Sequence, residues 1–183
     1  MSGHEILFTE QEIQQRVREI GAEISRDYAG KEVILVGLLK GAAYFLVDLS
    51  RSIEALGRVT ACRIEFMGVE SYGNGRMPGD VHIYLDVRRS LRKKHVILVD
   101  DVADTRFTLR TVTRFIKSAK RPKTLRTCVL LDKSECCQTE VPLHYVGFSG
   151  EGFGFVYGSG MDLEGASRGV SNIARAPAET AVA

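Results

Sequence analysis

Residues 95–111 read HVILVDDVADTRFTLRT, and this stretch decides the fold. Its opening, through Val99, is a short unbroken apolar run, the pattern of a strand covered on both faces. The run stops on Asp100 and Asp101, and Asp104, Thr105 and Thr108 follow before a helix expected from about 107 to 119. Backbone N–H groups at a helix N-terminus have no internal partner and attract phosphate. The threonine hydroxyls add donors without charge. Two acids beside that cradle repel a bare phosphate but suit ribose hydroxyls or a divalent cation. A single acid here would read as a helix cap. Three acids and two threonines beyond a strand end read instead as a sugar-phosphate site.

Working outward, residues 9–30 have the pattern of an amphipathic helix. Thr9 and Glu12 form a capping box, Ile13, Val17, Ile20 and Ile24 share a face, and Gly30 can stop it. EVILVG, 32–37, is a second doubly covered strand, and LLKGA turns the chain into a helix over roughly 42–56. Strands are expected at 59–66 (VTACRIEF), VHIYL, TLRTCVLLD and HYVGFS. Residues 67–80, MGVESYGNGRMPGD, lack either period and read as a long functional loop. A glycine-rich segment covers 147–160, and the tail ARAPAETAVA is expected to fray. Strands alternating with helices give an α/β domain with a largely parallel central sheet flanked by helices. The polar clusters after 37, 99 and 131 all fall at strand carboxyl ends, where such sheets bind ligands.

The bulk numbers agree with one soluble domain spanning 1–183: 44% hydrophobic and 26% charged residues, with no membrane-spanning run and no signal peptide. A net charge of +2 argues against a nucleic-acid partner. Cys62, Cys128, Cys136 and Cys137 form no C-x-x-C pair, so zinc is not expected and reduced thiols in a cytoplasmic protein are.

VILVDDVADTRFTL resembles the phosphoribosyl-pyrophosphate (PRPP) motif of type I phosphoribosyltransferases, and other segments narrow the likeness to the hypoxanthine-guanine phosphoribosyltransferases. LLKGA is similar to their first loop, SYGNG to the start of their flexible lid, LLDK to the strand end bearing a purine-contacting lysine, and GFVYGSGMD with Arg168 to their hood. The likeness covers roughly residues 5–170 in order. It implies the type I fold, with a lid at about 67–80 and a hood built from the termini, including about 150–175. It further implies a purine-salvage transferase making IMP, and GMP, from the free base and PRPP with Mg2+. Asp100 and Asp101 would contact the ribose hydroxyls and, with Asp162, magnesium. Asp104 would be the general base or acid at purine N7. Asp104, Thr105, Arg106, Phe107 and Thr108 would hold the 5′-phosphate, while Lys40, Gly41 and Arg168 would meet pyrophosphate. Lys133 would reach purine O6, Phe155 would stack on the base, Val156 would read its edge, and Asp162 would also belong to the purine site. Ser71 and Tyr72 would lie in the lid. The family implies a homodimer or homotetramer.

Two places depart from the family pattern. Arg106 stands where the motif usually has glycine, where it could crowd the phosphate or add a contact to it. GSGMDLEGASRG also lacks the aromatics common between the metal aspartate and the arginine. Competing readings are an RNA-binding regulator on the same fold, fed by the five basic residues within 88–94, and a catalytically quiet nucleotide sensor.

Overall fold

The structure, a computed structural model, describes residues 4–71 and 81–177. Its main sheet has six strands in the order β4-β3-β2-β5-β6-β7. These are β2 (Glu32–Leu39), β3 (Ala61–Ser71), β4 (Val81–Leu85), β5 (His95–Ala103), β6 (Thr124–Lys133) and β7 (Tyr145–Gly150). Every neighbouring pair is parallel except β3 and β4. A second sheet of three strands, ordered β1-β9-β8, joins β1 (Glu5–Phe8) to β8 (Val156–Tyr157) and β9 (Ile173–Arg175). The expected α/β class with a largely parallel sheet is what the chain adopts.

Two apolar layers sandwich the main sheet. On one face α1 (Glu10–Asp27) and α2 (Ala43–Ala55) bring Ile20, Ile24, Phe45, Leu49 and Ile53 against Val33, Leu35, Ile97 and Val99. On the other, α3 (Phe107–Phe115) brings Leu109 and Val112 against Ile34, Val36, Leu98 and Val129. Alternate residues of β2 and β5 thus serve opposite layers, which is why both strands read as unbroken apolar runs. The expected capping box heads α1: the Glu12 N–H meets the Thr9 hydroxyl at 3.4 Å, and the Thr9 N–H meets the Glu12 carboxylate at 2.8 Å. A π-helical turn, Ile116–Lys120, prolongs α3.

Two expectations need correction. Residues 67–71 are strand, because Gly68 to Ser71 pair with β4 in the antiparallel arm of the sheet; Tyr72 and the rest of the loop to 80 lie outside the described residues. The tail does not fray from its start. Ala174 and Arg175 are in β9, Ala174 and Ala176 are buried, and the Ala176 N–H donates to the Phe155 carbonyl at 2.8 Å. Pairing with residues about 170 positions away supplies that order, and a short small-residue segment carries no periodicity to announce it.

Candidate active site

Toward the carboxyl end of β5 the chain carries Asp100 and Asp101, and the strand runs on through Val102 and the buried Ala103, beyond the 95–100 expected from the sequence. Asp100 is 8% exposed. Burial, and then the neighbouring Asp101 charge, push its carboxyl well above the ordinary range. Burial also raises Asp101. The turn that follows passes through Arg106, whose φ of 65° is left-handed, and enters α3 with no side chain capping its first turn. For a residue other than glycine that conformation costs about 1–2 kcal/mol. A cavity of about 200 Å³ opens there, lined by Asp100, Val102, Ala103, Asp104, Thr105, Arg106, Thr108 and Leu109. Phe107 opens the helix itself. Of the expected phosphate-loop residues, Asp104, Thr105, Arg106 and Thr108 line one hollow at a helix N-terminus, where backbone N–H groups lack internal partners, while Phe107 does not line it.

Two ion pairs tie this turn to the end of β6. Lys133, only 8% exposed, donates from Nζ to Asp104 Oδ2 at 2.9 Å. Arg106 donates from Nη2 to Asp132 Oδ1 at 2.7 Å, and the other Asp132 oxygen accepts from Ser149 Oγ at 3.2 Å. A lysine on a strand end is ordinarily a solvated one; this one is buried and pairs with Asp104. The Cys136 thiol lies beside the same aspartate, and burial and Asp104 push its pKa up. The sequence reading missed Asp132, Ser149 and Cys136. LLDK gave a hint of the first, since a carboxylate next to a buried lysine at a strand end needs a cation of its own.

A second cavity, about 330 Å³, is lined by Leu39, Lys40, Gly41, Val69, Glu70, Tyr84, Asp101, Asp162 and Arg168. The Leu39–Lys40 peptide is cis. A Cβ on Gly41 would fall 1.8 Å from an Asp101 carboxylate oxygen, so glycine here lets the β2–α2 turn approach Asp101 without displacing that carboxylate. Arg168 donates to Asp162 Oδ1 at 2.5 Å and to the Gly160 carbonyl at 2.8 Å. This cavity gathers Lys40, Gly41, Asp101, Asp162 and Arg168, while Asp100 faces the other. Among the described residues no three metal-ligating side chains form one cluster, so Asp100, Asp101 and Asp162 are not a ready-made cage.

Val156 opens β8 of the small sheet, Phe155 precedes it, and neither lines either cavity. Phe155 is 43% exposed while its neighbour Phe153 packs against the core near Phe8. Ser71 ends β3, opposite Val81. The basic run lies before β5: Lys94 pairs with Glu32 at the sheet end away from the acid pair, and Arg89 pairs with Glu65 midway along β3.

Similarity to known proteins points the same way. Residues 4–160 match the phosphoribosyl transferase domain family. The chain is 39% identical over 161 residues to a hypoxanthine-guanine phosphoribosyltransferase of Dictyostelium discoideum, covering 87% of each. It is 38% identical to that of Aquifex aeolicus, covering 86% of this chain and 85% of the relative. Among solved structures, a hypoxanthine phosphoribosyltransferase from Trypanosoma cruzi superposes with a TM-score of 0.90 at 33% identity, over 98% of this chain and 94% of that one. One from Staphylococcus aureus gives 0.87 at 34%, over 96% and 92%. With its parallel sheet, acidic strand end and uncapped helix all in place, the chain belongs to the phosphoribosyltransferases, among the hypoxanthine-guanine enzymes.

Proposed function

We propose that this enzyme joins hypoxanthine, and guanine, to PRPP, releasing pyrophosphate and forming IMP or GMP. The observation that carries this reading is the buried Lys133 paired with the half-exposed Asp104 beside an uncapped helix N-terminus. Lysine offers a donor, which suits the O6 acceptor of a 6-oxopurine and opposes the amino group of adenine. Asp104 then stands where it can take or share the proton that the purine ring loses as N9 attacks the anomeric carbon. The transition state is a sugar cation losing pyrophosphate, so the protein works by positioning and by placing charge.

In this assignment the 5′-phosphate sits on the first turn of α3, within the 104–108 loop, and the ribose hydroxyls donate to Asp100 and Asp101. Lys40, Gly41 and Arg168 face the diphosphate. Phe155, an exposed aromatic just before β8, covers the base, and Val156 offers its backbone. Magnesium fits the donor set: burial and the neighbouring acid disfavour the charged form of Asp100, a cost that a nearby cation would offset, and Mg2+ takes one or two carboxylates with phosphate oxygens and water as its other ligands. Asp100, Asp101 and Asp162 are the carboxylates available to it. When bound it would neutralise charge on the departing pyrophosphate.

A homodimer or homotetramer in the cytoplasm completes the proposal. In the Trypanosoma cruzi enzyme the C-terminal region has a role in oligomeric state and enzymatic activity. Exposed Tyr44, Ile64 and Leu85 offer this chain apolar surface for self-association. No described helix is long and apolar enough to cross a membrane.

The test is a panel of purine and pyrimidine bases with PRPP and magnesium, following nucleotide formation. Hypoxanthine and guanine should react and adenine should be poor. Adenine turning over as readily as hypoxanthine would refute the assignment.

A further inference from the structure

We propose that Arg106 is a side-chain ligand of the substrate's 5′-phosphate, and that Asp132 and Ser149 are the positioning residues that aim it. The proposal rests on the phosphoribosyl reading of the 104–108 loop.

The sequence left two outcomes open for an arginine at this left-handed position: crowding the phosphate hollow or serving it. The geometry points to service. Arg106 lines the 200 Å³ cavity, yet its guanidinium does not lie loose across it. Nη2 is held at 2.7 Å by Asp132, whose second oxygen accepts from Ser149 at 3.2 Å. Arg106 and Asp132 side chains are only 15% and 10% exposed, so the pair is screened little by water. A guanidinium gripped at one corner keeps its remaining N–H groups in a fixed plane, and this fork suits phosphate oxygens.

One of those N–H groups is conspicuous. Arg106 Nε is buried, and no acceptor among the described residues reaches it. Buried donors in native structures nearly always find partners, and an orphan calls for an explanation. A phosphate seated on the uncapped first turn of α3 brings acceptor oxygens within a residue of it. The same ligand answers both the free helix N–H groups and the orphaned arginine donor.

Asp132 has a second consequence. It is adjacent in sequence to Lys133, and Arg106 is two residues from Asp104, so the two ion pairs form a crossed clamp between the loop and β6. A base that draws Lys133 toward its O6 loosens one arm. The Arg106–Asp132 arm stays closed and keeps the phosphate loop docked while the base is read.

Arg106→Gly, Asp132→Asn and the double variant test this by calorimetry with IMP and with inosine, which lacks the phosphate. Glycine suits a φ of 65°, so the first variant adds no backbone strain. Circular dichroism and thermal melting check that each folds. Arg106→Gly should weaken IMP binding about tenfold, as expected for one charge-assisted hydrogen bond, with inosine binding unchanged. Its KM for PRPP should rise while that for hypoxanthine holds. Asp132→Asn should weaken IMP in the same direction but less, and the double variant should match Arg106→Gly alone. Unchanged IMP affinity in Arg106→Gly would overturn the proposal. So would equal losses for IMP and inosine, the mark of a purely structural strut. If the wild type made no nucleotide from PRPP while IMP still depended on Arg106, the catalytic reading would fall and this inference would stand.

Discussion

Replacing Asp104 with asparagine removes one negative charge from the most consequential contact in the site and keeps its shape. The carboxylate has two tasks in this account: neutralising Lys133 at 2.9 Å, and taking a proton from the purine. The first concerns stability. Lys133 is buried, but the Asp104 side chain is 48% exposed, so water screens the pair and its loss should cost about 1 kcal/mol, well short of a fully buried pair. The second concerns rate. A positioned general base contributes about 10²–10⁴-fold, so kcat should fall by about that factor. Binding of PRPP rests mainly on the rest of the loop, the acid pair and the Lys40–Arg168 side, so its KM should change less than about threefold. Steady-state kinetics at saturating hypoxanthine and PRPP separate these effects, and a denaturant titration reads the stability. A variant with normal kcat and a sharply raised KM for PRPP would refute the role given to Asp104.

Lys133→Ala should raise KM for hypoxanthine about tenfold or more, the value of a hydrogen bond to a charged donor, and narrow the gap between hypoxanthine and adenine in competition assays. Glu32 bears on acid stability. Its hydrogen bond from Lys94 at 2.6 Å, and then that from Arg63, hold its carboxyl at about 2 against an ordinary 4.5. A carboxyl depressed by folding stabilises the fold above its unfolded value, and that contribution is lost as pH falls through the folded value. Glu32→Gln should therefore be less stable than wild type at about pH 6, with the difference closing toward about pH 2, as read by urea unfolding at several pH values. A gap that widened on acidification would contradict the assignment of this carboxylate.

How much of this the sequence carried depends on the range of the forces involved. Val96 to Val99 and Val33 to Val36 announced themselves because a strand covered on both faces must be apolar at every position. The Thr9–Glu12 box is local chemistry within one turn, and it appears as read. The small sheet was legible only through family likeness: β1 and β9 pair from opposite ends of the chain, and no local pattern encodes such a partner. Within the site, the acid turn and Lys133 were visible as residue types at a strand end, but the pairing of Lys133 with Asp104 was not. Arg106 was the instructive case. Its identity raised a question of crowding or contact, and only the position of Asp132, 26 residues away, shows where the guanidinium is held.

The most direct test of the account is a crystal structure of the protein with IMP bound. The account predicts the phosphate on the first turn of α3 among Thr105, Arg106 and Thr108. It also predicts the ribose hydroxyls on Asp100 and Asp101, and O6 within hydrogen-bond reach of Lys133. IMP bound with its phosphate away from that turn would contradict it, however well the nucleotide were ordered elsewhere.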